Sequence, residues 1–235
     1  MADGGVAWLE LPPVLCARNL AASWDLLWTW KPPLVRWREL LPWQKVNHFA
    51  GSRNLTRKDR LKKHLQRARQ SCAKASESFD IMPLTFALPA EYVQFVEAFA
   101  ACAEEAKNHG QPNIWIMKPV GLSRGRGISL INEISAVSYG EAMVIQRYVT
   151  APLLLDGYKF DLRLYVLVTS FNPLEAFLYS EGFGRFSTER YTIEASSLSD
   201  KYVHLTNSSI QKERSQFAEG TLPMSLGAEE GGTKC

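Results

Sequence analysis

Nowhere in its 235 residues does this chain hold an apolar run approaching the roughly 20 residues that a membrane-spanning helix needs. Its four cysteines, Cys16, Cys72, Cys102 and Cys235, lie far apart and form no Cys-x-x-Cys. That spacing excludes a paired-cysteine zinc site and fits a reducing compartment better than a disulfide framework. The four histidines show no metal-ligand spacing either. Acidic Asp3 and Glu10 stand where a signal peptide would be basic, so the expectation is a soluble, intracellular chain. There is no internal repeat, no Gly-Lys-Ser/Thr opening a helix and no Gly-x-Gly-x-x-Gly, which excludes the two commonest nucleotide loops.

What is present is a chain of 46% hydrophobic residues, enough to bury a core in one or two domains. Its most informative stretch runs from Asn113 to Ile131. The apolar run Ile114 to Met117 predicts a short buried strand that delivers Lys118 at its end. Gly121, Gly125 and Gly127 follow, interleaved with Ser123, Arg124 and Arg126, before a second strand-like run, Ile128 to Ile131. Glycines let backbone N–H groups approach a ligand, and the cations supply charge, so the pattern suits a polyphosphate. A solvated basic hairpin is the plainer alternative.

Charge is uneven although the net value is only +3. Residues 53–74 hold nine Lys or Arg against one acid, Asp59. Thr56 to Asp59 has the form of a helix start, and Leu61, Leu65 and Ala68 recur at helical spacing. One amphipathic helix with a basic outer face is expected, either simply solvated or steering an acidic partner. Residues 1–43 hold most of the seven tryptophans and two Pro-Pro pairs, which predicts short elements. Phe79 to Leu88 reads as an apolar connector. Pro89 suits the first turn of a helix whose stripe is Tyr92, Val93, Val96, Phe99 and Ala103, broken at Asn108 to Pro112. Met143 to Val149 reads as a strand. Leu162 to Phe171 and Leu174 to Ser180 read as a hairpin through Asn172-Pro173. The pattern alone gives a mixed α+β fold.

Several further motifs follow the glycine loop: Gln146-Arg-Tyr-Val149, Tyr158 to Tyr165, Glu181 to Ser187, and His204-Leu-Thr-Asn-Ser-Ser209. Upstream stand Trp24 to Trp28, Gln44 to Gly51 and Leu55 to Asp59. In this order, from about Trp24 to Lys212, they resemble the tubulin tyrosine ligase-like family of ATP-grasp ligases, and most of all its glutamate-adding members. The resemblance implies an α+β, ATP-grasp-like fold in which two sheets clamp ATP. It implies a tryptophan-rich region at 1–47, the basic and connector helices at 48–110, a partial nucleotide-binding core at 111–212 and a flexible tail at 213–235.

The implied activity is ATP-dependent addition of glutamate to glutamate side chains of tubulin through an acyl phosphate, because an unactivated carboxylate is a poor electrophile. The resemblance assigns Lys118 to the phosphates and to catalysis, with Arg124 and Gly125 in the loop that closes over them. Gln146, Arg147, Tyr148 and Val149 match the hinge that reads adenine, mainly through backbone. Lys159 and Asp161 fall at the nucleotide; without the family they could be a cross-strand ion pair. Arg185 is implied to catalyse by holding the carboxylate of the incoming amino acid, whose planar geometry a guanidinium fork fits. Thr206 and Asn207 match a second ATP contact, and Ser208, Ser209 and Arg124 the amino-acid side; many relatives have an aromatic at the Ser208 position. His204 reads as packed or hydrogen-bonded, not as a catalyst.

The family's Mg²⁺ is held by an Asp and a Glu-x-Asn pair downstream of the Thr-Asn motif. Residues 208–235 contain no Asp and no Glu-x-Asn, so no metal ligand is assigned and a C-terminally truncated, inactive form is the expectation. The implied partners are glutamate and the acidic C-terminal tails of tubulin in microtubules. No membrane is expected, and nucleic acid ranks last because residues 53–74 lack interleaved aromatics. The implied location is the cytoplasm and cytoskeleton, including ciliary basal bodies or axonemes. A glycine-adding ligase and a non-catalytic tubulin-binding module are the alternatives.

Overall fold

The computed structural model describes residues 24–33, 35–137 and 140–214. Its described residues form two compact units that divide between Thr56 and Arg57. In the first, strands β1 (Leu26–Leu27) and β2 (Lys45–Val46) pair in parallel, followed by the short helix α1 (Arg53–Thr56). Asn47 closes it by accepting from the Thr29 N–H at 3.0 Å and donating to the Thr29 carbonyl at 2.9 Å. The described elements here are short, as the Pro-Pro pairs predict; Trp37 opens a single helical turn, and Trp28, Trp30 and Trp43 lie between elements and are exposed.

The second unit begins with helices α2 (Lys58–Arg69) and α3 (Ala73–Ser78), then strand β3 (Thr85–Leu88) and helix α4 (Tyr92–Asn108). Strands β4 (Trp115–Pro119), β5 (Ser129–Ile131) and β6 (Met143–Arg147) complete an antiparallel sheet of order β3-β6-β4-β5. Strand alternation sorts β4 and β6 into two faces. Trp115, Met117, Met143 and Ile145 pack with Phe95, Phe99 and Cys102 of α4. Ile114 and Ile116 pack with Tyr148, Leu205 and Ile210 on the other side. Burial on both faces is why Ile114 to Met117 is continuously apolar instead of alternating. By the same parity, Lys118 and Gln146 fall on the second face and Arg147 on the α4 face.

A second sheet, of order β11-β8-β7, is built from β7 (Leu154–Leu155), β8 (Tyr158–Arg163) and β11 (Phe183–Arg190). Strands β9 (Val166–Phe171) and β10 (Leu174–Leu178) form a separate hairpin with Leu174, Phe177 and Leu178 exposed. Helices α5 (Lys201–His204) and α6 (Ser208–Gln211) end the described chain. Buried Gln211 staples α6 to β11, accepting from the Thr188 N–H at 2.9 Å and the Thr188 hydroxyl at 2.6 Å while donating to the Leu205 carbonyl. The mixed helix-and-sheet fold agrees with the α+β expectation. The tail expected at 213–235 lies outside the described residues from 215 onward.

Four local expectations are corrected. The basic segment is three helices instead of one, and the N-cap of α2 is Arg57, whose guanidinium pairs with Asp59 at 3.1 Å, so Thr56 does not cap it. Nor are all its cations outward: Lys62 is buried against Glu91, and Lys58 donates to the Pro119 and Leu122 carbonyls at 3.1 and 2.8 Å. Helix α4 begins at Tyr92, after Pro89, and its buried stripe is Phe95, Phe99, Cys102 and Ala106, while Val93 is 65% exposed. The connector hides strand β3, and Leu162 belongs to β8 instead of the hairpin. In the α4 stripe and strand β3, packing partners, not propensity, chose which residues of an ambiguous apolar run face inward.

Phe95 is fully buried, with its ring edge-on to Trp115 at 5.3 Å and to Phe99 at 5.7 Å. Phe95→Ala is expected to cost about 3–5 kcal/mol of unfolding free energy in denaturant titration, through lost transfer energy plus a cavity. Val93→Ala on the same helix should stay within about 0.5 kcal/mol of wild type. Equal effects would contradict this assignment of the inward face.

Candidate functional site

The second face of the four-stranded sheet carries polar groups where apolar ones would be expected. Lys118 donates to the Gln146 side-chain oxygen at 2.7 Å, and Gln146 donates in turn to the Thr85 hydroxyl at 2.9 Å. Burial, and then the charge of Lys58, hold the Lys118 ammonium below its ordinary pKa. From the other sheet, Lys159 reaches the Tyr148 hydroxyl at 2.7 Å and the His204 carbonyl at 3.0 Å. Its pKa is lowered to about 8, first by burial and then by the charge of Lys118, with Asp161 acting in the opposite sense. The two lysines therefore sense each other across the space between sheets. Two half-buried, mutually repelling ammonium groups are the kind of arrangement that an anion would relieve.

The glycine loop joins β4 to β5, so its geometry is indeed that of a basic hairpin. Arg124, Gly125 and Gly127 all have left-handed φ values, +61°, +78° and +67°. Such a run turns successive backbone groups toward one side, as anion-binding loops do. Lys58 anchors the loop's entrance through the Pro119 and Leu122 carbonyls. Its tip is anchored by α6: the Ser209 hydroxyl donates to the Arg124 carbonyl at 2.8 Å. Beside this contact lies a cleft of about 590 Å³ whose lining includes Arg124, Arg126, Lys201 and Ser209.

The hinge residues divide by face. The Arg147 and Tyr148 N–H groups bond the Leu84 and Ile114 carbonyls at 2.8 and 2.9 Å. The Arg147 guanidinium lies on the α4 face, 3.1 Å from Glu105, so its side chain is turned away from the lysines. Gln146 and Tyr148 point toward them. Val149 is exposed, and its carbonyl receives the Tyr191 hydroxyl at 3.4 Å.

Asp161 and Arg185 sit directly opposite each other on β8 and β11 and form a two-pronged ion pair, with Nε to Oδ1 at 2.8 Å. The Asp161 hydrogen bond raises the already high Arg185 pKa, so the guanidinium stays charged. Lys159 is thus not the ion-pair partner of Asp161; Arg185 is. Asn207 stands at the N-terminus of α6 with its side-chain oxygen next to Gly125, Thr206 is half-buried beside it, and Ser208 is exposed. The structure therefore brings together Lys118, Gln146, Tyr148 and Lys159 as one group, and Arg124, Gly125, Asn207 and Ser209 as another.

Sequence reading overlooked the layer beneath Lys159. His204 is 1% exposed, with Nδ1 3.1 Å from the Tyr148 hydroxyl and Nε2 3.1 Å from the Ser197 carbonyl. This agrees with the expectation that His204 is hydrogen-bonded and packed. Tyr191 stacks edge-on against it. Burial, then the charge of Lys159, lower the His204 pKa, and burial foremost raises that of Tyr148. The spacing of Tyr148 and His204 in the sequence holds no sign of this contact, because it spans 56 residues.

Comparison with known proteins follows from these motifs. The profile of the Tubulin-tyrosine ligase family matches residues 36–224. The chain is 44% identical over 200 residues to a Homo sapiens protein named Tubulin polyglutamylase TTLL5, covering 84% of this chain and 15% of that one. It is 41% identical to the Mus musculus protein named Probable tubulin polyglutamylase TTLL2, covering 83% of this chain and 35% of that one. A Tetrahymena thermophila protein named Probable alpha-tubulin polyglutamylase Ttll1 is 38% identical over 75% of this chain and 47% of its own length. The chain thus spans less than half the length of each of these relatives.

A Cβ on Gly125 would lie 2.3 Å from Ile210 Cδ1 and 3.0 Å from the Asn207 side-chain oxygen, at a φ of +78°. Gly125→Ala should therefore lower stability by about 1–3 kcal/mol in thermal or chemical unfolding. Gly121→Ala, with nothing within 4 Å and no positive φ, should be nearly neutral. A neutral Gly125→Ala would show that the loop does not pack on α6.

Proposed function

Because this chain belongs to the tubulin-tyrosine ligase family, we propose that it carries the nucleotide-binding part of an ATP-dependent ligase that adds glutamate to glutamate side chains of tubulin. One observation carries this reading above all. Lys118 and Lys159 approach from different sheets, each with a depressed pKa, beside a loop with three consecutive-to-near left-handed residues. A polyphosphate, with several negative charges, offsets the repulsion between such groups better than a monovalent anion, and an apolar ligand would not offset it.

The roles then follow from position. Lys118, Lys159, Arg124 and Gly125 hold phosphates, with Thr206 and Asn207 at the loop's far side. The Val149 N–H, just past the end of β6 and with no hydrogen-bond partner among the described residues, offers a donor for a base. ATP supplies the phosphoryl group that makes a carboxylate electrophilic. This chain contributes orientation and positive charge where negative charge develops. Arg185 is the group for the amino-acid carboxylate, and it must share or release Asp161 to take one. Ser208 and Ser209 border that side, Ser209 while holding the loop.

Among the described residues no group of three His, Cys, Asp or Glu side chains could hold a metal ion. The carboxylate at this face, Asp161, is already paired with Arg185, so no Mg²⁺ ligand is assigned. A second reading is a non-catalytic module that occupies tubulin. Lys63 and Arg67 are exposed on α2 and suit an acidic partner such as a tubulin tail. No helix among the described residues is long and apolar enough to cross a membrane. Action at the cytoskeleton, in cytoplasm or cilia, belongs to the same proposal, as does glycine as the alternative amino acid.

Calorimetry on the purified chain should detect ATP binding that Lys118→Ala and Lys159→Ala each weaken by roughly tenfold or more, the loss of a charged hydrogen bond to phosphate. Unaltered affinity in both variants would remove the phosphate role. With labelled glutamate and tubulin, incorporation by the 235-residue chain should not exceed background, because a metal-fixing carboxylate set is lacking; robust incorporation would overturn that part. Lys63→Glu with Arg67→Glu should weaken microtubule co-sedimentation, and wild-type binding should fall as salt rises, since exposed charges are screened beyond ~8 Å at physiological ionic strength. Indifference to both would leave α2 a solvated face.

A further inference from the structure

We infer that His204 is a positioning residue for Lys159, fixing through the Tyr148 hydroxyl how the ammonium group is presented to its ligand. The inference rests on the nucleotide reading for the identity of that ligand, but not for the network itself.

With the neighbouring Tyr191 hydroxyl donating to the Thr150 carbonyl at 2.9 Å, donor and acceptor roles fall into one arrangement around His204. The Ser197 carbonyl can only accept, so His204 Nε2, 3.1 Å away, carries the ring proton. His204 Nδ1 is then an acceptor, and the Tyr148 hydroxyl 3.1 Å away donates to it. That leaves the Tyr148 oxygen to accept from Lys159 Nζ at 2.7 Å. The His204 carbonyl accepts a second Lys159 N–H at 3.0 Å. An ammonium has three donors. Two are thus consumed by groups that His204 fixes, one through its ring and one through its backbone. One remains for a ligand, and the Tyr148 ring, 4.5 Å from Nζ, and the Tyr191 ring, at 5.9 Å, flank the group.

Protonating His204 would break this order. Nδ1 would become a donor, Tyr148 would lose its acceptor, and a second cation would stand beside Lys159. The groups that set this balance come from several elements: Lys118 on β4, Asp161 on β8, Tyr191 after β11, and Asp200 at the N-cap of α5. Lys159 disfavours a charged His204, and Asp200 favours it less strongly.

The test uses the full 235-residue chain and three substitutions. His204→Leu removes the acceptor, Tyr148→Phe removes the relay oxygen, and His204→Asn keeps an acceptor at the Nδ1 position. Lys159 is titrated without nucleotide, by amine-selective acylation across pH and peptide mass spectrometry. Losing an acceptor favours the neutral amine, so the Lys159 midpoint should fall by about one pH unit in His204→Leu and Tyr148→Phe and recover most of that in His204→Asn. ATP affinity at pH 7.5 should weaken about fivefold in the first two. In wild type it should also decline once the pH falls below the ordinary imidazole range, since burial and Lys159 hold the His204 pKa down, a decline that His204→Asn abolishes. A folded His204→Leu or Tyr148→Phe with an unmoved Lys159 midpoint overturns the inference and leaves His204 a packing residue. If His204→Leu fails to fold, the Tyr148→Phe midpoint decides. Shifted midpoints in a chain that binds no ATP would uphold the inference and defeat the nucleotide reading instead.

Discussion

A half-buried ammonium group loses much of its water and must find acceptors in the protein, and this requirement at Lys159 organises the site face of the larger unit. Its hydrogen bonds recruit Tyr148 from the end of β6 and the His204 carbonyl from α5. These elements come from the first sheet, the second sheet and the helical segment that follows it. The ring of His204 is committed to Tyr148 and Ser197, so the loop before α5 is fixed as well. Leaving such a charge without acceptors is unfavourable, which is why polar groups occupy positions that strand parity would otherwise fill with apolar ones.

The glycine loop is governed by a different constraint, close approach. Its left-handed residues bring backbone against Ile210 and Asn207 at a distance no side chain at Gly125 would permit. Lys58 holds one end and Ser209 the other. A loop so anchored is pre-arranged, and less ordering entropy is lost when it meets an anion. The basic composition that first suggested phosphate binding is therefore divided by the fold. Some cations serve the ligand face, and Lys58 and Lys62 serve the scaffold through carbonyls and Glu91.

The Asp161–Arg185 pair limits the substrate role proposed for Arg185. Facing each other in register, the carboxylate and guanidinium satisfy one another in two-pronged fashion. Both are partly exposed, 37% and 21% at the side chain, so water screens the pair and its exchange for an incoming carboxylate need not be costly. A rigid, fully buried pair would have barred Arg185 from any substrate.

By itself the sequence determined the local facts. The strand–lysine–glycine-loop–strand order, the fully buried character of Ile114 to Met117 and the hairpin across Asn172-Pro173 all follow from period, turn chemistry and run length. The motif order from Lys118 to Ser209 also fixed the family. Tertiary structure alone decided which face each side chain took and whom it met. The stripe of α4 and the division of 53–74 into three helices depended on partners that propensity does not see. Arg147 turned to Glu105 while its neighbours Gln146 and Tyr148 turned to the lysines, a consequence of strand parity once β4 and α4 were in place. The Lys159–Tyr148–His204 network joins residues as many as 56 positions apart. No local pattern encodes such a contact, because it exists only when two sheets and a helix are brought together and a half-buried charge must find its acceptors there.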